Sequence, residues 1–170
     1  MYKQKTREMT IFAMFGAIMF ISKLIMEFLP NIHPLGLFIT VLTLLYRAKA
    51  LIPIYIYVFL NGLYAGFATW WVPYTYIWLV LWLLIMIIPK NASNKMIFTL
   101  SLVFNAIFGL SFGLLYMPFQ AFAFGLNFQG AISWFIAGLP FDIIHMCGNI
   151  ALSFLVLPLY KVLKKFTVKK

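Results

Sequence analysis

Residues 9–29 read MTIFAMFGAIMFISKLIMEFL, an apolar run that contains one lysine and one glutamate. A helix of about 20 mostly apolar residues, rising about 1.5 Å per residue, crosses the hydrocarbon core of a bilayer. The run is longer than the apolar core of a signal peptide, and further apolar runs follow it in place of a small-residue cleavage site. This stretch therefore predicts a permanent membrane-spanning helix, which Pro30 ends.

The whole chain shares this apolar character. Of its 170 residues, 65% are hydrophobic and 9% are charged, and the mean hydropathy is +1.01. A soluble domain is roughly half apolar and a quarter charged, so this chain has too few polar side chains to form a water-soluble surface. The composition predicts an integral protein of the lipid bilayer and excludes most soluble enzymes and nucleic-acid-binding proteins.

Five further apolar runs complete the predicted fold, an all-α membrane protein that forms one transmembrane domain over residues 1–170. Pro73 and Pro89 separate neighbouring runs, and Pro140 and Asp142 favour the start of the last helix. Residues 118–139 are predicted to form a charge-free excursion over the outer mouth of the bundle. The six predicted transmembrane helices cover residues 9–29, 35–46, 50–71, 74–88, 96–117 and 140–160.

The basic residues set the predicted orientation. They fall in four clusters, within residues 3–7, 47–49, 90–95 and 161–170. Six crossings place all four clusters on one side, which the positive-inside rule assigns to the cytoplasm. We therefore expect both the N-terminus and the C-terminus to be cytoplasmic. The net charge of +10 is then a consequence of topology, and no nucleic-acid partner is expected.

The remaining ionisable side chains, Glu8 apart, are all predicted on the outer side of the bundle. Such groups at membrane depth usually face a cavity or a partner. Three polar residues of the last helix, at positions 142, 145 and 149, are spaced i, i+3, i+7 and share one face. An outer-facing ligand pocket follows, and its candidate substrate-binding residues are Lys23, Glu27, Asn31, His33, Trp70, Trp71, Tyr74, Trp78, Trp134, Asp142, His145 and Asn149.

Simpler roles remain open for several of these residues. Lys23 and Glu27, four residues apart on one helix, would pair with each other or reach the interface. Asp142 would cap the N-terminus of its helix, and the Trp and Tyr side chains would form an interfacial belt. His33, alone in a proline-bounded loop, would be a surface histidine. Asn61 and Asn105, nearer the middle of the membrane, favour interhelical hydrogen bonds over ligand contacts.

No motif for ATP hydrolysis, for a metal site or for a bound cofactor occurs in the chain. The chain contains no GxxxxGK[ST] phosphate loop, no HExxH and no pair of cysteines. We therefore expect no catalytic residue, no metal site and no cofactor, and any ATP hydrolysis must occur in partner subunits. The segment Ala13-Met-Phe-Gly-Ala17 places two small residues on one face of the first helix, which allows another helix to approach closely.

The six-span arrangement, the Ala13-x-x-x-Ala17 face and the segment Gly138-Leu-Pro-Phe-Asp-Ile-Ile-His145 resemble the S components of energy-coupling factor (ECF) transporters. The resemblance covers nearly the whole chain. It implies capture of a small water-soluble vitamin or vitamin-like compound from outside the cell membrane of a prokaryote. It also implies that Ala13 and Ala17 dock onto the transmembrane T component, and that two ABC-type ATPase subunits drive release to the cytoplasm.

The identity of the ligand and two other functions stay open. Two outer acids against Lys23 favour a neutral or cationic heteroaromatic compound, resembling a queuosine precursor or thiamine, and leave riboflavin and pantothenate as alternatives. A stand-alone proton-coupled transporter would use Asp142 and His145 as a proton relay. An intramembrane hydrolase would pair Ser111 of the GxSxG segment 109–113 with His145, although that chemistry needs a sharp turn at the serine.

Overall fold

The structure, a computed structural model that describes residues 2–167, is built from α-helices, with no β-strand in that range. Five apolar helical stretches are long enough to span a membrane: 6–25, 35–65, 69–86, 94–124 and 128–153. The predicted all-α fold, with several apolar helices of membrane-spanning length, is confirmed. The helices are α1 (Tyr2–Ile25), α2 (Leu35–Tyr46), α3 (Leu51–Ala65), α4 (Tyr74–Met86), α5 (Asn94–Leu110), α6 (Phe112–Phe124), α7 (Phe128–Ser153) and α8 (Val156–Thr167).

The bounds of α2 coincide with those of the second apolar run, whereas α1 and α3 end before the runs that predicted them. α1 ends at Ile25, and the residues up to Pro30 form turns. α3 ends at Ala65 because Gly66 adopts a φ of 86°, a conformation that glycine accepts without steric cost. Both helices thus end at a backbone turn, and hydrophobicity alone does not show where that turn lies.

A sharp turn at Arg47 separates α2 from α3. Arg47 has a φ of 54°, and its guanidinium donates hydrogen bonds to the carbonyl oxygens of Met86 and Ile88. These carbonyls lie at the end of α4, where the backbone has no intrahelical donor. Trp82 of α4 in turn donates from Nε1 to the Arg47 carbonyl at 3.2 Å. The turn is therefore fixed against the end of α4.

Contacts along their length show that α1 and α3 run parallel. Near the start of both helices, Glu8 pairs with Lys49 at 2.8 Å. Near the end of both, the ring of Phe20 lies 5.7 Å from the ring of Tyr64. The chain must therefore cross back between them, and α2 makes that crossing.

The bundle has two chemically distinct ends. The end at which α2 meets the start of α1, through the rings of Phe12 and Tyr46 at 5.0 Å, carries the Glu8–Lys49 ion pair and the Arg47 hydrogen bonds. We call it the basic end and define it by Glu8, Arg47, Lys49 and Ile88. The opposite end is called the aromatic end and is defined by Trp70, Tyr74, Tyr116 and Trp134.

The second half of the bundle is a long antiparallel hairpin. α5 and α6 form one kinked arm and α7 forms the other. Phe98 of α5 contacts Phe154, just after α7, with ring centroids 5.5 Å apart. Tyr116 of α6 stacks on Trp134 of α7 at 6.0 Å. α7 therefore runs from the aromatic end to the basic end.

The predicted last span, residues 140–160, and the predicted excursion, residues 118–139, are both wrong in their bounds. Pro140 lies inside α7, Pro118 lies inside α6, and Gly125 joins the two helices with a φ of 62°. Proline is tolerated there because neighbouring groups in a helical membrane protein re-satisfy the backbone groups it leaves free. The supposed excursion is thus the tip of the hairpin.

After a turn at residues 154–155, α8 packs on α2 at the basic end. Val156 and Tyr160 are buried, at 0% and 7% exposure, while Lys161 and Lys165 are exposed. α8 therefore presents an apolar face to the bundle and a cationic face outward, as an amphipathic helix does.

Candidate ligand-binding site

Side chains from four parts of the chain meet inside the bundle, one helical turn in from Tyr74. The rings of His33, in the loop before α2, and His145, in the middle of α7, lie 5.0 Å apart. Trp78 of α4 lies 6.1 Å from His33, and Tyr57 of α3 lies 6.0 Å from Trp78. Asn61 follows on the same face of α3 as Tyr57. We call these five residues the polar cluster: His33, Tyr57, Asn61, Trp78 and His145.

Four members of the polar cluster are buried and His33 is half-buried, and polar atoms of all five lack hydrogen-bond partners. The exposed fractions of Tyr57, Asn61, Trp78 and His145 are 0%, 1%, 2% and 2%. Among the residues described, none pairs with His33 Nδ1, the Tyr57 hydroxyl, either amide atom of Asn61, Trp78 Nε1 or His145 Nε2. Each unpaired buried group costs about 1–3 kcal/mol, so proteins seldom leave several together. The arrangement is typical of a site that a ligand's own polar atoms complete.

The loop before α2 positions His33 against α7. Ile32 packs beside Gly148, where an added Cβ would lie 3.4 Å from the isoleucine side chain. Asn31 donates from Nδ2 to the carbonyl of Phe141 at 3.3 Å. Burial lowers the pKa of His33 to about 4, because desolvation disfavours the charged imidazolium. The His33 ring is therefore neutral at pH 7.

Aromatic rings surround the polar cluster on the side of the aromatic end. Phe112 lies 5.0 Å from His145 and 5.8 Å from Trp78. Tyr74 lies 5.6 Å from Trp78, and Phe108 lies 6.0 Å from His145. Most of these contacts are edge-to-face, the arrangement that aromatic quadrupoles favour. The unpaired atoms are thus set among flat apolar surfaces, a lining typical of small-molecule sites.

Three predicted aromatic site residues lie outside the polar cluster. Trp70 packs on Tyr74 at 5.6 Å, and its carbonyl accepts a hydrogen bond from the Tyr116 hydroxyl at 2.7 Å. Trp134 stacks on Tyr116, and Trp71 donates from Nε1 to a backbone carbonyl of α3 at 2.8 Å. These side chains build the aromatic end, whereas Tyr74 and Trp78 reach the polar cluster.

Asp142 caps a helix other than its own. It is 4% exposed, and its carboxylate oxygens accept from the N–H of Gly113 at 3.1 and 3.0 Å. Gly113 is the second residue of α6, which starts after a kink at Ser111, so its N–H has no intrahelical acceptor. The cap predicted for Asp142 therefore occurs on α6, and not on the helix that carries Asp142.

We expect Asp142→Ala to destabilise the protein by about 1–3 kcal/mol, because it leaves the buried N–H of Gly113 unpaired. Asp142→Asn keeps an oxygen that accepts this bond, so its melting temperature should stay close to that of the wild type. Thermal unfolding in detergent, followed by tryptophan fluorescence, measures both variants. Equal destabilisation by the two substitutions would assign the effect to the lost charge and contradict the capping role.

Lys23 and Glu27 pair with each other at the end of α1. The distance from Lys23 Nζ to Glu27 Oε1 is 3.6 Å, and the side chains are 21% and 55% exposed. An exposed pair of this kind contributes little to stability. Glu27 is thus a surface residue, and both members of the pair lie outside the polar cluster.

Asn149 and Asn105 join three helices. Asn149 donates from Nδ2 to the Asn105 carbonyl at 3.1 Å, and Asn105 donates from Nδ2 to the Thr40 hydroxyl at 2.8 Å. Gly36 of α2 lies against both, since a Cβ there would be 2.5 Å from Asn105 Oδ1 and 2.9 Å from Asn149 Oδ1. Asn105 therefore has the interhelical role predicted for it, and Asn149 shares that role.

Sequence reasoning missed Tyr57 and assigned Asn61 to interhelical hydrogen bonding. α3 reads LIPIYIYVFLNGLYA, which is apolar on every side, so hydrophobic periodicity does not identify an inward face. The signal that could have found both residues is their i, i+4 spacing, which places two polar groups on one face. No hydrogen-bond partner of the Asn61 amide occurs in the described part of the chain, contrary to the predicted role.

Ser111 lies at the junction of α5 and α6. Its hydroxyl donates to the carbonyl of Ile107 in its own helix, and the rings in contact with His145 are those of His33, Phe108 and Phe112. Within residues 2–167, no group of three His, Cys, Asp or Glu side chains could hold a metal ion. The Ser111 hydroxyl is therefore engaged with a backbone carbonyl of the preceding turn.

The chain matches no known family model, no curated protein and no solved structure.

Proposed function

We propose that this protein is a multi-pass protein of the prokaryotic cell membrane that captures a small water-soluble solute, as the S component of an ECF importer does. The polar cluster carries the proposal, because it sets unpaired polar atoms of five side chains inside an apolar bundle. Such groups are costly where no water can reach them. A solute with matching donors and acceptors removes that cost, whereas internal packing alone does not.

The proposed orientation places the basic end in the cytoplasm and the aromatic end outside. Arg47, Lys49 and the exposed lysines of α8 belong to the basic end, which agrees with the positive-inside rule. Trp and Tyr side chains crowd the aromatic end, as they do at membrane interfaces. Both termini are then cytoplasmic, and the solute enters from outside, since the polar cluster lies one turn in from Tyr74.

The face of α1 that carries Ala13 and Ala17 supports a docking role. Ala13 is exposed and Ala17 is half-buried, and Met14 and Ile18 beside them are 59% and 42% exposed. Another face of α1 packs on α3. Because small residues let a second helix approach the backbone, we propose that the ECF T component binds here. Two ABC-type ATPase subunits would power release.

The proposed transport step follows from where the site lies. The solute would replace ring contacts within the polar cluster and sit beneath the loop that carries His33. Since the polar cluster lies nearer the aromatic end, release into the cytoplasm requires the whole bundle to reorient beside the T component. This chain supplies capture and docking, and its partners supply the energy of ATP hydrolysis.

The double substitution Ala13→Leu/Ala17→Leu is expected to reduce co-purification of a T component at least tenfold, because the added side chains keep the partner helix from the backbone of α1. The tagged protein is isolated from its own cells in mild detergent, and co-purifying subunits are identified by mass spectrometry. The matched control is Ala123→Leu/Ala137→Leu, two exposed alanines at the hairpin tip, which should leave the assembly unchanged.

The proposal has two separable failures. If wild-type protein brings down neither a T component nor ATPase subunits, the ECF assignment is wrong. If the complex forms normally with Ala13→Leu/Ala17→Leu, the assignment stands and docking takes place on another surface.

A further inference from the structure

We infer that the solute held by the polar cluster is a neutral, flat nitrogen heterocycle with a lactam or amide edge. This inference rests on the proposed function and narrows it to one ligand class. It follows from three properties of the site: the charges near it, the pattern of its unpaired donors and acceptors, and the shape of its lining.

The charges near the site disfavour an ionic ligand. The two acids that would attract a cation are engaged elsewhere, since Glu27 lies on the surface beside Lys23 and Asp142 accepts from the N–H of Gly113. A buried anionic ligand would need a paired positive charge. Lys23 is already paired with the Glu27 carboxylate at 3.6 Å, so it does not supply that charge. The site therefore suits a neutral molecule.

The unpaired atoms match a lactam edge. The Asn61 amide presents a donor and an acceptor side by side, and both lack partners. A ring amide, with its N–H beside its C=O, pairs with both at once. Trp78 Nε1 is only a donor and therefore needs an acceptor on the ligand, such as a second carbonyl or a ring nitrogen. The Tyr57 hydroxyl can donate or accept a hydrogen bond, so it can pair with either an acceptor or a donor on the ligand.

The lining suits a flat molecule. The rings of Trp78, His145 and Phe112 lie 5.0–5.6 Å from their nearest aromatic neighbours, edge to face. A planar heterocycle can take over such contacts with little loss of aromatic interaction. The rings touch one another in this arrangement, so binding requires some of them to separate, and the inference assigns that movement to the loop that carries His33. A hydrogen bond of 3.3 Å from Asn31 to the carbonyl of Phe141 joins this loop to α7.

A panel of small probes tests the inference on the purified full chain in lipid nanodiscs. Neutral lactam heterocycles (hypoxanthine, lumazine and uracil) are compared with purine, which lacks the lactam edge, with thiamine as a cation and with nicotinate as an anion. Binding is measured by equilibrium dialysis and by tryptophan fluorescence. We expect a lactam probe to bind at least tenfold more tightly than purine, thiamine and nicotinate.

The variant Asn61→Leu localises the effect. Leucine has nearly the size of asparagine without its amide, so the inference predicts at least tenfold weaker binding of the lactam probe and a melting temperature no lower than that of the wild type. The control is Asn94→Leu, an exposed position at the start of α5, which should leave binding unchanged. If Asn61→Leu fails to fold, Tyr57→Phe serves in its place, with the same expected loss of binding.

Each outcome decides. Tightest binding of thiamine or nicotinate overturns the neutral class and leaves solute capture intact. Equal binding of hypoxanthine and purine overturns the lactam edge. Absence of binding by every probe overturns the ligand class, and co-purification of the T component then decides separately whether the proposed function survives.

Discussion

Replacing Gly109 with leucine is expected to prevent the bundle from assembling. A Cβ on Gly109 would lie 2.7 Å from the Cα of Met146 and 2.8 Å from its backbone nitrogen. Backbone atoms inside a helix cannot yield as the end of a flexible side chain can, so α5 and α7 would have to separate. Overpacking a tight interior costs about 1–3 kcal/mol, and more where nothing can shift.

The measurement is the yield of monodisperse protein in size-exclusion chromatography, together with its melting temperature. Gly138→Ala is the matched control, because nothing lies within 4 Å of a Cβ at Gly138. Alanine favours helix over glycine by about 1 kcal/mol, so this control should be slightly more stable than the wild type. A Gly109→Leu protein that melts normally would contradict the close approach of α5 and α7.

Tyr57→Phe is expected to raise the melting temperature and to weaken ligand binding. The substitution removes a fully buried hydroxyl that has no partner in the described chain, whose desolvation costs about 1–3 kcal/mol. For a protein of this size, that corresponds to roughly 2–4 °C per kcal/mol. Loss of one hydrogen bond to the ligand should reduce affinity about tenfold. Stability and binding therefore change in opposite directions, which is typical of residues kept for function.

Tyr76→Phe is the matched control. Its hydroxyl donates to the Leu115 carbonyl at 3.0 Å, so its removal should lower stability by about 0.5–1.5 kcal/mol and leave binding unchanged. Thermal unfolding with and without a bound probe measures both quantities for both variants. A fall in stability for Tyr57→Phe would mean that its hydroxyl has a partner within the protein. The proposal that a ligand pairs with this hydroxyl would then be wrong.

The fold class could be predicted from the sequence because lipid imposes a simple requirement on helices. Runs of apolar residues identify helices such as α2, whose bounds agree with the run at residues 35–46. The rules for helix ends in soluble proteins predicted the helix bounds of this chain less well. In soluble proteins, proline is common in the first turn of a helix. Pro140 instead lies within α7, because the surrounding protein compensates for its missing N–H.

The candidate site could be predicted only in part. Rarity identified His33 and His145, since a chain with two histidines and few charges makes each of them conspicuous. Their predicted positions in the membrane placed both histidines on the outer side of the bundle. Contact between the two rings, 112 positions apart in the chain, depends on how the loop before α2 folds onto α7. Tyr57 escaped notice because α3 is aromatic and apolar throughout, and only three-dimensional packing distinguishes its buried hydroxyl from its neighbours.

The length and burial of α2 have a consequence for biogenesis. α2 has 12 residues, about 18 Å of helix, and every one of them is buried or half-buried. Its neighbours include α4, α7 and α8, all of which the ribosome makes later. α2 is thus too short to hold a place across the bilayer by itself. We therefore expect α2 to reach its final place only after α7 and α8 have been made, which would couple its insertion to the folding of the bundle.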